Sequence, residues 1–218
     1  MIGIPLKTLK VLIALNPASI ALTGSAGGGE MGKRSDVEVA IIFQDRNYVS
    51  RQALQRFTSH KLKIYPFRLR EVLTLRAKHP FANKFYFWWL SRNSKTVYGE
   101  KILENLRVNL HAKDFNETID YARGVALSAM VSLRNKDKET ARWGFAKSCL
   151  FATAAAVGMK RKCTPSSYRE IVKMGGVVFP RWKHLIRKAE NMRRGKGTLS
   201  EQDIFDNIEY LHSIRMSL

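Results

Sequence analysis

The stretch that most limits what this chain can fold into is LTGSAGGGEMGKRSDVEVAIIF, Leu22 to Phe43. The apolar run SIAL leads into Gly24-Ser25, a glycine-rich loop follows, and then Asp36-Val37-Glu38-Val39 precedes the apolar run AIIF. Side chains alternate faces along a β-strand, so Asp36 and Glu38 point one way while Val37 and Val39 enter a core. Two carboxylates side by side repel, and the arrangement is costly unless a cation lies between them. The glycine-rich turn upstream offers backbone N–H groups that suit phosphate. Together these residues describe a site for a metal-bound nucleoside triphosphate. Taken alone, DVEV also reads as an edge strand with one wet face; the Gly-Ser loop at its fixed distance favours the site.

The order of hydrophobic strand, Gly24-Ser25, about ten residues, then Ser35-Asp36 and Glu38 resembles the signature of the nucleotidyltransferase superfamily, whose palm is of the polymerase-beta type. In style the chain is similar to kanamycin nucleotidyltransferase and to the minimal nucleotidyltransferases. The resemblance implies Asp36 and Glu38 as catalytic and Mg²⁺-holding residues. It implies ATP or another NTP against Gly24, Ser25, Gly27, Gly28, Lys33, Arg34 and Ser35. A nucleoside monophosphate would pass to an acceptor hydroxyl bound between two domains.

The family usually carries a third carboxylate on a neighbouring strand, which here falls in HKLKIYPF, His60 to Phe67, a segment with no acid. Lys61, Lys63 and Tyr65 share one face of it, Leu62 and Ile64 the other. Three outcomes stay open: a base from the second half, with Asp114, Glu117 or Asp120 as candidates; a different strand alignment; or nucleotide binding without transfer. In the last case the chain is a degenerate enzyme serving as a basic nucleic-acid-binding module. A weaker option is a toxin–antitoxin role, modifying a partner protein.

Charge bears on that choice. Lys and Arg number 38 against 18 Asp and Glu, a formal net charge of +20. Such an imbalance attracts polyanions, so RNA or DNA joins the nucleoside triphosphate among expected partners, and a cationic aminoglycoside acceptor is disfavoured. The basic bias peaks between Lys160 and Lys196, with twelve Lys/Arg against Glu170 and Glu190. Arg181, Lys183, Arg187, Lys188 and Arg194 are the residues expected to meet nucleic-acid phosphates there.

Cys149 and Cys163 form no disulfide or metal pattern and suit a reducing cytoplasm. Near the N-terminus VLIAL is too short for a signal-peptide core before Asn16-Pro17. The apolar run Ser148–Met159 is too short to span a bilayer, so no membrane contact is expected. A homodimer remains open.

Elements alternate in the first half: strands 19–25, 36–43, 61–66 and 95–98, with helices 6–15, 50–59, 68–78, 82–92 and 99–106. FYFWWL, Phe85 to Leu90, crowds five aromatics into six residues, more than one helix face accepts, so a second covering surface is required. The second half reads as five helices. The first is capped by Asp114 or Asn116, the third is stopped by Gly175, and the last is capped by Ser200 with Asp203 three residues on. The expectation is an α+β chain: a small mixed-sheet domain, 1–108, then an all-α bundle, 109–218. The resemblance likens that bundle to HEPN or substrate-binding domains, though no His follows an Arg at the spacing of HEPN ribonucleases.

Overall fold

The computed structural model describes residues 4–31, 36–77 and 83–217. The chain divides into two compact units, Met1–Leu110 and His111–Leu218.

The first unit is built on a four-stranded mixed sheet of order β3-β2-β1-β4. Its strands are β1 (Ser19–Thr23), β2 (Val37–Phe43), β3 (Leu62–Arg68) and β4 (Lys95–Gly99). β2 runs antiparallel to β1 and parallel to β3, and β1 runs antiparallel to β4. β1 is buried along its whole length, as a central strand should be. β3 is an edge strand, which is why it tolerates Pro66.

The period of two in VEVAIIF sorts the core. Val37, Val39, Ile41 and Phe43 pack with Leu9 and Leu12 of α1 (Leu6–Ala14). Glu38 belongs to the opposite face, where Ala40 and Ile42 meet Phe67, Phe87, Leu90 and Val72. That second face is covered by α4 (Leu69–Leu73) and α5 (Lys84–Arg92). In α5, Phe85, Phe87, Trp88, Trp89 and Leu90 are all buried, so the helix is covered on more than one side.

Several local expectations need correction. The glycine-rich loop begins as one helical turn, α2 (Gly24–Gly27). Helix 50–59 is split into α3 (Arg51–Leu54) and a 3₁₀ turn, Gln55–Phe57. Segment 99–106 contains no helix; its Glu104 carboxylate instead accepts from the Thr96 N–H of β4.

The second unit is a bundle of five helices: α6 (Ala112–Arg134), α7 (Lys138–Arg161), α8 (Tyr168–Val178), α9 (Lys183–Arg193) and α10 (Glu201–Met216). α7 touches the other four and is buried nearly all round its alanine-rich centre, as its composition requires. Small residues bring the axes together: a Cβ on Gly144 would lie 2.9 Å from that of Ala129 on α6. Gly175 does not stop α8; it lies within the helix because a side chain there would strike Thr153 of α7. α6 is capped by His111, with Asp114 at its third position in a reciprocal capping box, so neither Asp114 nor Asn116 is the cap itself. The Ser200–Asp203 capping box at α10 is present. No helix among the described residues is long and apolar enough to cross a membrane.

Candidate active site

The site is assembled at the end of β1 and the start of β2. The register opposes Thr23 to Glu38, so the chain leaving β1 turns directly over the Glu38 side chain. Gly24 makes that turn at φ +58, a conformation that favours glycine. A Cβ there would lie 2.5 Å from Glu38 Oε2, so the missing side chain is also what lets the carboxylate sit against the turn.

The remaining glycines are set by close approach. A Cβ on Gly27 would come within 2.2 Å of the Asn93 carbonyl oxygen and 2.6 Å of that of Leu22. One on Gly28 would meet Asn93 Oδ1 at 2.6 Å. Asn93 is buried at the C-terminus of α5, and its side-chain amide donates to the Trp89 carbonyl. The turn is held by the Gly28 N–H to the Gly24 carbonyl and the Glu30 N–H to the Ser25 carbonyl. Gly24 to Gly28 is thus a packed turn, whereas Gly29 has open space around it.

Asp36 and Glu38 flank the buried Val37 and both act on one neighbour, Tyr65 of β3. The Tyr65 phenol is pushed up to about 12, by burial first and then by the Glu38 carboxylate and, less strongly, that of Asp36, with the Arg51 guanidinium working against them. Arg51, the first residue of α3, lies 5.4 Å over the Tyr65 ring. The cluster therefore holds two carboxylates, a neutral phenol and a guanidinium. Sequence reasoning missed Arg51 and Tyr65 as members, because their meeting depends on the β2–α3–β3 crossover and not on spacing.

β3 is the strand beside β2, in the place anticipated for a third acid. Lys63 stands opposite Glu38 and Tyr65 opposite Ala40, so the carboxylate face meets a cation and a phenol there. Among the described residues no group of three or more His, Cys, Asp or Glu comes together. The three acids of α6 considered as bases are engaged within their own unit. Asp114 accepts from the His111 N–H, Glu117 pairs with Lys113, and Asp120 with Arg123 and Arg215. Lys33, Arg34 and Ser35 lie outside the described residues.

The basic residues of the second unit separate into two groups. Arg181 pairs with Glu209, Lys188 with Asp203, and Arg194 with the buried Glu190, which Arg193 also binds. Lys183 and Arg187 have no ion-pair partner among the described residues, and they line a groove between α8 and α9 together with Arg169 and Lys173.

No family model and no curated protein matches the chain. Solved structures do, nine chains in all. One is spectinomycin adenyltransferase AAD(9) from Enterococcus faecialis, solved with ATP and spectinomycin. The likeness has a TM-score of 0.63 at 13% identity and covers 96% of this chain and 97% of that one. At that identity it is a likeness of fold. The chain has the nucleotidyltransferase fold followed by a helical C-terminal region, the α+β architecture expected of it.

Proposed function

We propose that the chain is a nucleotidyltransferase that moves a nucleoside monophosphate from an NTP, ATP in the first place, to an acceptor hydroxyl. The observation that carries this reading is Glu38 set against the packed Gly24–Gly28 turn, with Asp36 two residues before it, immediately ahead of β2, in a fold shared with an adenyltransferase solved with ATP.

The donor set suits Mg²⁺, which takes hard oxygens and is commonly held by one or two carboxylates plus substrate phosphates. Asp36 and Glu38 would hold it, and the ion would supply charge neutralisation at the phosphates. Ser25 and the backbone N–H groups at the start of the turn would bind phosphate, and Lys33 and Arg34 lie in the segment just before Asp36, suited to charge on the departing pyrophosphate. Arg51 offsets the paired carboxylates from the α3 side. Tyr65, held neutral, offers a hydrogen-bond donor and not a base. The acceptor oxygen bonds to the α-phosphorus, the α–β bridging bond breaks, pyrophosphate leaves, and the hydroxyl proton passes to water.

Calorimetric titration with ATP, with and without Mg²⁺, on the native chain and on Asp36→Asn tests the reading. Mg²⁺-dependent binding that the variant lacks supports it, and equal binding by both overturns it. A second reading, a nucleic-acid-binding protein on a degenerate enzyme fold, draws on Lys63 and Tyr65 occupying the place of the third acid. It requires nucleic-acid binding with no transfer from any NTP.

A further inference from the structure

We infer that the groove between α8 and α9 binds a single-stranded nucleic acid by its phosphodiester backbone. The groove, about 450 Å³, is lined by Arg169, Lys173, Lys183, Arg187 and Arg194. Its one acid, Glu190, is taken up by Arg193 and Arg194. The inference is independent of the nucleotide site in the first unit.

Two features separate this groove from an ordinary solvated basic face. Arg169 and Lys173 stand four residues apart on α8, and Lys183 and Arg187 four apart on α9. Like charges at that spacing repel, and both pairs face one concavity. No acid among the described residues pairs with either member of the α9 pair, whereas Arg181, Lys188 and Arg194 on and beside the same helix are each tied to an acid. A phosphate backbone entering between the helices would neutralise the α9 pair and run past Arg169 and Lys173 on the facing side.

The floor adds a second feature. Gly176 of α8 lies under the Lys183 stem, where an added Cβ would be 3.2 Å from Lys183 Cγ, and Val172 and the exposed Val177 supply apolar surface beside it. Lys183 and Arg187 also line the neighbouring depression formed with Pro180, His184, Lys188 and Asn191, about 530 Å³. The two cations thus form a ridge shared by two adjoining hollows, a track suited to a flexible strand.

The test is fluorescence anisotropy of a labelled oligouridine of about a dozen nucleotides, without nucleotide or Mg²⁺, so that failure of the nucleotide site does not touch the outcome. Four phosphate contacts predict a log–log salt slope of about −3, a loss of roughly fiftyfold between about 50 and 200 mM salt. Lys183→Ala/Arg187→Ala should weaken binding at least about tenfold and flatten the slope by about 1.4. Lys136→Ala/Lys138→Ala, which removes the same charge at the α6–α7 turn, should change binding less than about twofold, and thermal melts verify that both variants fold. Equal losses from the two double variants would assign the binding to diffuse charge. Duplex DNA or tripolyphosphate displacing the probe at matched phosphate concentration would assign the groove to another ligand. Either result overturns the inference.

Discussion

Two charged regions of this molecule fared differently on folding. Asp36 and Glu38, two residues apart, remain together because a strand returns to the same face every second residue. The cations between Lys160 and Lys196, dense in sequence, are dispersed because a helix turns successive residues through about 100°. Arg181, Lys188 and Arg194 find acids on their own or neighbouring helices, whereas Lys183 and Arg187, without an ion-pair partner among the described residues, face a groove with α8. Charge proximity along a chain therefore becomes proximity in space under period two far more readily than under period 3.6.

The sharpest way to break the comparison is at the carboxylates. Asp36→Asn and Glu38→Gln should each reduce Mg²⁺-dependent ATP affinity at least about hundredfold, by the scale on which even supporting residues of metal sites act. Circular dichroism should stay native, since Glu38 is not a core residue. Removing a basic residue such as Lys188 should leave ATP affinity within about twofold, read in the same calorimeter.

Gly27→Ala tests whether the turn is packed as tightly as its neighbours indicate. The new methyl would meet the Asn93 and Leu22 backbone carbonyls, neither of which is the free end of a side chain. A loss of about 1–3 kcal/mol is expected from overpacking, read by denaturant titration, together with loss of ATP binding. Gly29→Ala, with open space but φ +73, should cost only about 1 kcal/mol of backbone strain.

How much of this was legible in the chain follows the range of the cause. The alternation of Asp36, Val37, Glu38 and Val39 and the Ser200–Asp203 capping box are local, and both are present. The tight packing of the glycine turn was not legible because it comes from Asn93, far along the chain at the end of α5. Gly175 was misread as a stop because only Thr153 on α7 explains a glycine inside a helix. Arg51 and Tyr65 escaped notice since a crossover brings them to the acids. The empty place of the third carboxylate was visible in HKLKIYPF, but that Lys63 faces Glu38 across β2 and β3 needed the register.

Tyr65 provides a pH test of the acidic cluster. Its folded pKa, about 12, lies above the ordinary value of 10.0. The folded chain therefore holds that proton more tightly, and the associated stability is complete below pH 10 and is lost as the pH rises toward 12. Roughly 3 kcal/mol at most is at stake. Cys149, buried and raised to about 12, loses stability over part of the same window, and Tyr210 shifts in the same direction. The informative quantity is accordingly the difference between the native chain and Tyr65→Phe in urea titrations at pH 9 and pH 11: the variant should lose about 1 kcal/mol less between them. Equal losses would mean that neither burial nor the acidic neighbours hold the Tyr65 proton in the folded chain.

The smallest effect separates engaged cations from free ones on a single helix. Lys188 donates to Asp203, which is itself the reciprocal partner in the Ser200 capping box. Burial raises the Asp203 carboxyl, yet the hydrogen bonds from Lys188 and Ser200 outweigh it and hold the pKa below 3.8. That contribution is present above pH 3.8 and disappears as the pH falls through the lowered value. Lys188→Ala should therefore cost about 0.5–1 kcal/mol at pH 7, the modest figure fitting a lysine that is more than one-third exposed, and less at pH 3. Lys183→Ala, five residues earlier on α9, removes no ion pair and relieves its repulsion with Arg187, so it should be neutral or stabilising by a few tenths of a kcal/mol. Denaturant midpoints for the two variants at equal salt decide the matter: a cost for Lys183→Ala as large as that for Lys188→Ala would mean that the folded chain already employs both cations, and the contrast between spent and free charge on this helix would fall.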